Sequence, residues 1–341
     1  MAEPAPLLAD LPRVKEESVA VADIDARRKN AKHPFVVRGL AAAWPLVKAG
    51  LESSEAARKY LIEHRRDRAF TVNIGTPGGG DRLFYDQAMA MNFQMAEGPL
   101  EGILEGIGAN EEKNDTPVIY LSAVDMDNYF DGLREANSLP LGDRKPIESI
   151  WIGTRSRIAA HNDVPDNLAV CAVGRRRFTL FPPEQLANLY AGPLENTPAG
   201  RPISMVDFRN PDLDAYPRFQ EALSHALMAE LEPGDAIFIP SLWWHHVEGL
   251  APFNILVNYW WRDTPAFLGK PEDALFHAIL ALLDLPDDDK ERWRALFDHY
   301  SFANGDDVTD HLPEEARGIL APLTAETAGQ LRAKLLRGLS R

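Results

Sequence analysis

Apolar residues in this chain fall into short runs punctuated by Gly, Pro and Asp, and the runs become dense from residue 117 onward. Val118-Ile119-Tyr120-Leu121, Ser149 to Gly153, Leu168 to Val173, Arg177 to Phe181, Ala236 to Pro240 and Asn254 to Trp260 each read as a β-strand. Upstream, Pro34 to Gly39 predicts a short strand closed by a glycine turn, Ser53 to His64 a helix capped by Ser53 or Ser54, and Ala69 to Ile74 another strand. The Thr76-Pro77-Gly78-Gly79-Gly80 stretch lacks the lysine and hydroxyl residue of a phosphate-binding loop, and no helix clearly follows it, so it is expected to be a flexible turn. After Pro271 the period changes. Ala274 to Leu283, Lys290 to Tyr300 and Ala325 to Leu339 have helical apolar spacing, separated by the solvated acidic segments Asp287-Asp288-Asp289 and Asn304-Gly305-Asp306-Asp307.

Short strands joined by turns predict a mainly β fold, a sandwich or barrel of the jelly-roll kind, with N-terminal α/β elements and a C-terminal helical tail. The organisation expected is a loosely held arm over residues 1–30, a β-rich domain over 31–265 and a helical region over 266–341, short for an independent domain. Phe276, Ile279, Leu280, Leu282 and Leu283 in one tail helix, and Trp293, Leu296, Phe297 and Tyr300 in the next, offer more apolar surface than one helix pair buries. That surface either packs back on the β domain or forms a homodimer.

Composition narrows the partners. A net charge of −15 repels phosphate backbones, so nucleic acid is not an expected general partner. Cys171 is the single cysteine, which excludes an intrachain disulfide and suits a reducing compartment. No run approaches the length of a membrane span and Met1 to Asp10 does not read as a secretory signal, so a cytoplasmic protein is expected.

The chemistry concentrates in His161-Asn162-Asp163 and Trp243-Trp244-His245-His246-Val247. Residues two apart on a strand share a face, so His161 and Asp163 can offer an imidazole and a carboxylate to one cation. A third donor must come from a distant strand, and His245 or His246 can supply it; as neighbours they face opposite ways, so only one can enter the site. Two histidines and one carboxylate form the facial triad that holds Fe(II) and leaves positions open. An isolated H-x-D occurs often by chance, and a hydrogen-bonded pair beside core histidines is the plainer alternative.

The surrounding segments alter that balance. His161-Asn-Asp163, Asn167, Gly174-Arg-Arg-Arg-Phe-Thr-Leu-Phe-Pro-Pro183, Pro233-Gly-Asp-Ala-Ile-Phe-Ile-Pro240, Trp243-Trp-His-His-Val-Glu248 and Val257-Asn-Tyr-Trp260 occur in that order. Over residues 115–262 they resemble the JmjC-type, cupin-like 2-oxoglutarate oxygenases, nearest to the asparaginyl hydroxylases of the factor-inhibiting-HIF type. The resemblance implies a double-stranded β-helix, Fe(II) and 2-oxoglutarate. It implies His161, Asp163 and His245 as metal ligands, with His246 on the opposite face. It implies Arg176 as the anchor of the far carboxylate of 2-oxoglutarate, where relatives have lysine; a guanidinium can clamp a carboxylate through two parallel hydrogen bonds. Arg176 is expected to point inward with Phe178 and Leu180, while Arg175 and Arg177 are expected to be solvated. Tyr120, Asn167, Asn258 and Trp260 match residues lining the co-substrate pocket, although each also reads as an ordinary core residue.

Two departures bear on substrate. Ile158 stands where the relative's threonine bonds the co-substrate, a loss of about 1 kcal/mol. Met205 stands where a substrate-contacting glutamine is expected, so asparagine hydroxylation does not carry over. The expected activity is a dioxygenase hydroxylating a protein side chain or small molecule. A non-catalytic metal- or ligand-binding cupin and a dimeric scaffold with a vestigial site are the alternatives. Demethylation would use the same oxidant, but nothing in the chain suggests an aromatic cage for a methylated lysine.

Overall fold

Strand Asn254–Trp261 shows how the apolar runs are used. Ile255, Val257 and Tyr259 point to one face and join a core with Leu46, Leu61, Leu104 and Ile107, whereas Leu256 joins a second core with Phe178, Leu180 and Val247. A strand buried on both faces needs apolar residues at successive positions, which is why these strands read as continuous runs. A computed structural model describes residues 6–76, 78–113, 116–142, 145–303 and 308–340. Pro77 of the glycine loop and the acidic connection at 304–307 lie outside the described residues, as do residues 1–5.

The chain divides into two units, Met1–Arg262 and Asp263–Arg341. The first is the mainly β, jelly-roll type domain. Its strands are β1 Lys15–Glu16, β2 Phe35–Val37, β3 Phe70–Gly75, β4 Arg82–Leu83, β5 Phe93–Gly98, β6 Ile119–Asp125 and β7 Ile147–Gly153. They continue with β8 Ser156–Asn162, β9 Asp166–Val173, β10 Arg176–Phe181, β11 Leu227–Leu231, β12 Ala236–Ile239, β13 Trp244–Gly249 and β14 Asn254–Trp261. One sheet runs β1-β2-β12-β9-β14-β7-β6-β3-β5 and the other β11-β10-β13-β8-β4. The core of Phe178, Leu180, Ala169, Cys171, Ile237 and Leu256 takes side chains from both sheets. Helices Pro45–Glu52, Ser54–His64 and Leu100–Gly108 cover the outer face of the larger sheet. Ser53 caps the second of them, its hydroxyl accepting from the Ala56 amide at 3.0 Å.

Of the expected loose arm, the described residues 6–30 are held in place. β1 pairs in parallel with β2, Val14 and Ile24 are buried, and the buried Arg28 bonds Asp25 and lies over the Trp261 ring. Their polar composition hides four buried residues, Leu8, Val14, Ile24 and Arg28.

The second unit contains helices Pro271–Leu282, Asp287–Phe297 and Ala325–Leu339. Thr324 and Thr327 form a reciprocal cap at the start of the last, and Arg332 donates to the Phe267 carbonyl at 3.1 Å. Leu280, Leu283, Trp293 and Tyr300 are exposed. No helix among the described residues is long and apolar enough to cross a membrane.

Candidate metal centre and adjoining cavity

Strand register brings the metal-binding candidates together. β13 lies between β8 and β10, and His245 sits opposite His161 on one side and Leu180 on the other. The two imidazole centroids are 4.4 Å apart. Asp163 lies just past the end of β8, and its Oδ2 is 3.6 Å from His245 Nε2. That separation is too long for a hydrogen bond and suits two donors facing one cation. One donor atom each from His161, Asp163 and His245 lie within 4.8 Å of one another, a group able to hold a metal ion.

The imidazoles are oriented for this. His161 Nδ1 lies 2.9 Å from the Ala159 carbonyl and His245 Nδ1 lies 3.1 Å from the Trp243 carbonyl. A carbonyl only accepts, so each Nδ1 carries the proton and each Nε2 presents a lone pair. Burial, with His161 beside it and Asp163 opposing, pushes the His245 pKa down to about 4, so the ring is neutral near pH 7 and its contact with Asp163 is not an ion pair. His246 faces away, stacked 4.8 Å from the Phe208 ring and opposite Thr179.

Backbone contacts lock the two ligand segments in register. Leu242 N–H donates to the Asp163 carbonyl at 2.8 Å, Ser241 N–H to Asp166 Oδ1 at 2.9 Å, and Ser241 Oγ to the Val164 carbonyl at 2.5 Å. Leu242 takes a left-handed φ of 64°, a strained conformation held by these contacts. Arg201 grips the residue between two donors: Nε meets the Asn162 carbonyl at 3.1 Å and Nη2 meets Asn162 Oδ1 at 3.0 Å. Arg201→Ala is therefore expected to weaken metal affinity about 10–100-fold, the usual effect of losing such a supporting contact. Competition titration with a chromophoric chelator measures it, and Asn162→Ala should reproduce most of the loss.

Beside the donors is a cavity of about 520 Å³, lined by residues of both sheets. Tyr120, Asn167, Asn258 and Trp260 all line it, as do Trp151, Ile158, Phe178 and Val247. Gly153 sits opposite Tyr120, and a Cβ there would come within 2.7 Å of the Tyr120 ring, so only glycine lets that ring lie where it does. Asn258 donates to Asn167 Oδ1 at 2.7 Å, which leaves Asn258 Oδ1 without a partner among the described residues. The Trp151 and Trp260 indole N–H groups, in rings 5.8 Å apart, are also buried without one.

Arg176 is the least satisfied group. It is buried on the face of β10 that carries Phe178 and Leu180, and none of its three guanidinium nitrogens has a hydrogen-bond partner of full geometry among the described residues, although the Tyr120 phenol lies close enough to interact. It does not itself line the cavity. Its charge is felt at Tyr120, where burial pushes the phenol pKa up and the adjacent guanidinium pulls it back. A buried, poorly paired cation is costly, and such a group marks a place where an anion fits. Tyr120 and the two indoles line the cavity, and Arg176 acts on Tyr120 from outside that lining; the chemistry of these donors suits a carboxylate, and that of the donor triad suits a metal.

Two expectations change, at Arg177 and at Met205. Arg177 is not solvated: it is buried and paired with Glu230 Oε1 at 2.9 Å and Glu248 Oε2 at 3.3 Å. Arg175 is partly exposed. Met205 is not at the cavity wall; Ile203, buried two residues earlier and bridged to His161, holds that place. Sequence reasoning also missed Trp151 and Arg201, whose contacts are long-range and leave no local pattern.

A family profile described as a cupin-like domain matches residues 22–267. HSPB1-associated protein 1 of Mus musculus is 35% identical over 144 residues, covering 41% of this chain and 29% of that protein. Lysine-specific demethylase JMJ31 of Arabidopsis thaliana is 33% identical over 124 residues, covering 36% and 22%. tRNA wybutosine-synthesizing protein 5 of Danio rerio is 38% identical over 106 residues, covering 31% and 29%. The matches thus span less than a third of these relatives' own length.

Proposed function

The chain belongs to the cupin-like domain family, and from that premise we propose that it is an Fe(II)- and 2-oxoglutarate-dependent dioxygenase hydroxylating a protein side chain or a small molecule. The observation that carries the reading is the His161–Asp163–His245 cluster opening onto a cavity whose Tyr120 wall lies beside a buried arginine with no hydrogen-bond partner of full geometry among the described residues. Two relatives, named as a demethylase and a tRNA-modifying protein, are consistent with oxidative chemistry on this scaffold.

His161, Asp163 and His245 would hold the iron, and Arg176 with Tyr120 would hold the far carboxylate of 2-oxoglutarate. Iron and co-substrate together would supply the oxidation, splitting dioxygen, releasing succinate and carbon dioxide, and hydroxylating a substrate C–H. The chain's own part is positional. Asn167 and Asn258 brace each other along the cavity wall, Ile158, Phe178 and Val247 keep that wall apolar, and the neutral histidines act as donors rather than as acids or bases. Apolar walls exclude water from the oxidising centre. Asparagine hydroxylation is not part of the proposal: Ile158 stands where a co-substrate-bonding threonine is expected, and the cavity wall near the metal donors carries Ile203.

Anaerobically iron-loaded protein exposed to dioxygen and 2-oxoglutarate should form succinate without any added substrate, at the slow rate of uncoupled turnover. Metal binding without succinate would favour a ligand-binding cupin, and neither would favour a scaffold.

A further inference from the structure

The substrate side of the cavity has a composition of its own. Beyond the metal donors and co-substrate residues its wall is mostly hydrocarbon, with Leu83, Met91, Phe93, Met95, Pro198 and Ile203, and its further polar side chains, Asn73, Ser122 and Thr197, are uncharged. Asp163, already committed to the metal group, is the one charged side chain among the lining residues. Among the described residues, no lysine or arginine lines the mouth to meet a phosphate, and no spare carboxylate meets an ammonium group. A charged group brought into such a wall would lose its hydration uncompensated.

Two of these residues come from β5, the terminal strand of the larger sheet, whose outer edge has no strand partner among the described residues. Phe93 and Met95 share one face of β5, with Met95 opposite Asn73 and Asn73 opposite Tyr120, so that face leads along the sheet to the cavity. Natural edge strands are blunted by lysine, proline or inward charge. Phe93–Gly98 has no lysine, arginine or proline and one charged residue, Glu97, which is not at the cavity wall. Met95 is 75% exposed. An unblunted edge carrying exposed hydrocarbon is built for an extended chain, which gains main-chain hydrogen bonds along the edge and places alternate side chains in pockets.

We propose that an extended polypeptide adds as a strand to the outer edge of β5 and delivers an uncharged, apolar side chain past Phe93 and Met95 into the cavity. Docking follows from the edge and the wall composition; only the fate of the delivered side chain rests on the oxygenase reading. The substrate class is thus a neutral hydrocarbon side chain in a segment of polypeptide, not a phosphorylated nucleotide and not a methylated lysine.

A random peptide display library selected on the full chain loaded with Mn(II), under nitrogen and with 2-oxoglutarate present, tests this. The enriched peptides should share one uncharged apolar position. Their binding should slow amide hydrogen exchange across residues 93–98 of the unmutated protein. Met95→Lys, at an exposed site, should weaken them at least tenfold, while Leu51→Lys, on a distant exposed helix position, should leave them unchanged. Enrichment of central lysine or arginine, no enrichment at all, or binding without protection of residues 93–98 would overturn the proposal. Repeating the affinities without 2-oxoglutarate separates the two readings, because failure of the oxygenase reading leaves peptide docking in place.

Discussion

Asp163→Ala is expected to abolish succinate formation and to weaken Fe(II) binding by orders of magnitude while the protein stays folded. The carboxylate is the only anionic member of the donor group, and it lies 3.6 Å from the buried, neutral His245. Without it two neutral imidazoles face the cation, a set that neither balances its charge nor completes the facial arrangement. The fold should tolerate the change because Asp163 lies past the end of β8 and its structural bond, from Leu242 N–H, is to the backbone carbonyl that alanine keeps. Circular dichroism of the metal-free variant should match the parent. Calorimetric titration with Mn(II) under nitrogen should show heat for the parent and almost none for the variant. Full turnover by Asp163→Ala would remove the site from the account.

Arg176→Met is expected to move stability and ligand affinity in opposite directions. The guanidinium is buried with no hydrogen-bond partner of full geometry for any nitrogen among the described residues, so the fold bears a poorly compensated charge there. Replacing buried ionic groups by apolar ones of similar size is often neutral or stabilising by about 1–4 kcal/mol, and methionine adapts to an irregular site. Thermal denaturation of the metal-free variant should therefore show an unchanged or raised midpoint. Truncating a buried charged hydrogen-bond partner of a ligand costs about 2–5 kcal/mol, so 2-oxoglutarate affinity should fall at least about 30-fold. Arg176→Lys keeps the charge but loses the fork, and should fall between parent and methionine variant. A purely structural arginine would give the reverse pattern, a lower melting midpoint with unchanged affinity.

How much of this was readable beforehand depended on the range of the interactions. β9, β10 and β14 were legible because burial on both faces makes their apolar runs continuous. The inward face of Arg176 was legible because alternation ties it to Phe178 and Leu180. The donor group was legible as residue types, yet its convergence depends on β13 lying beside β8, which spacing alone does not dictate. Arg177 was misread because its burial depends on Glu230 and Glu248, far away in sequence. Arg201 reaches Asn162 from a loop with no periodic pattern, and β5 reads poorly because four successive residues are exposed. The anchoring of residues 6–30 through Leu8, Val14, Ile24 and Arg28 was lost for the same reason: isolated buried residues in a polar stretch carry no period.

The most direct test of the central claim, that three donors from β8 and β13 hold one iron beside a site for an α-keto diacid, is an anaerobic titration of the Fe(II) protein with 2-oxoglutarate followed by visible absorption. A saturable charge-transfer band with one equivalent of each is the result expected, with the band absent from His161→Ala, Asp163→Ala and His245→Ala. Iron that binds yet gives no band at any 2-oxoglutarate concentration, or a band that survives loss of these three side chains, would contradict it.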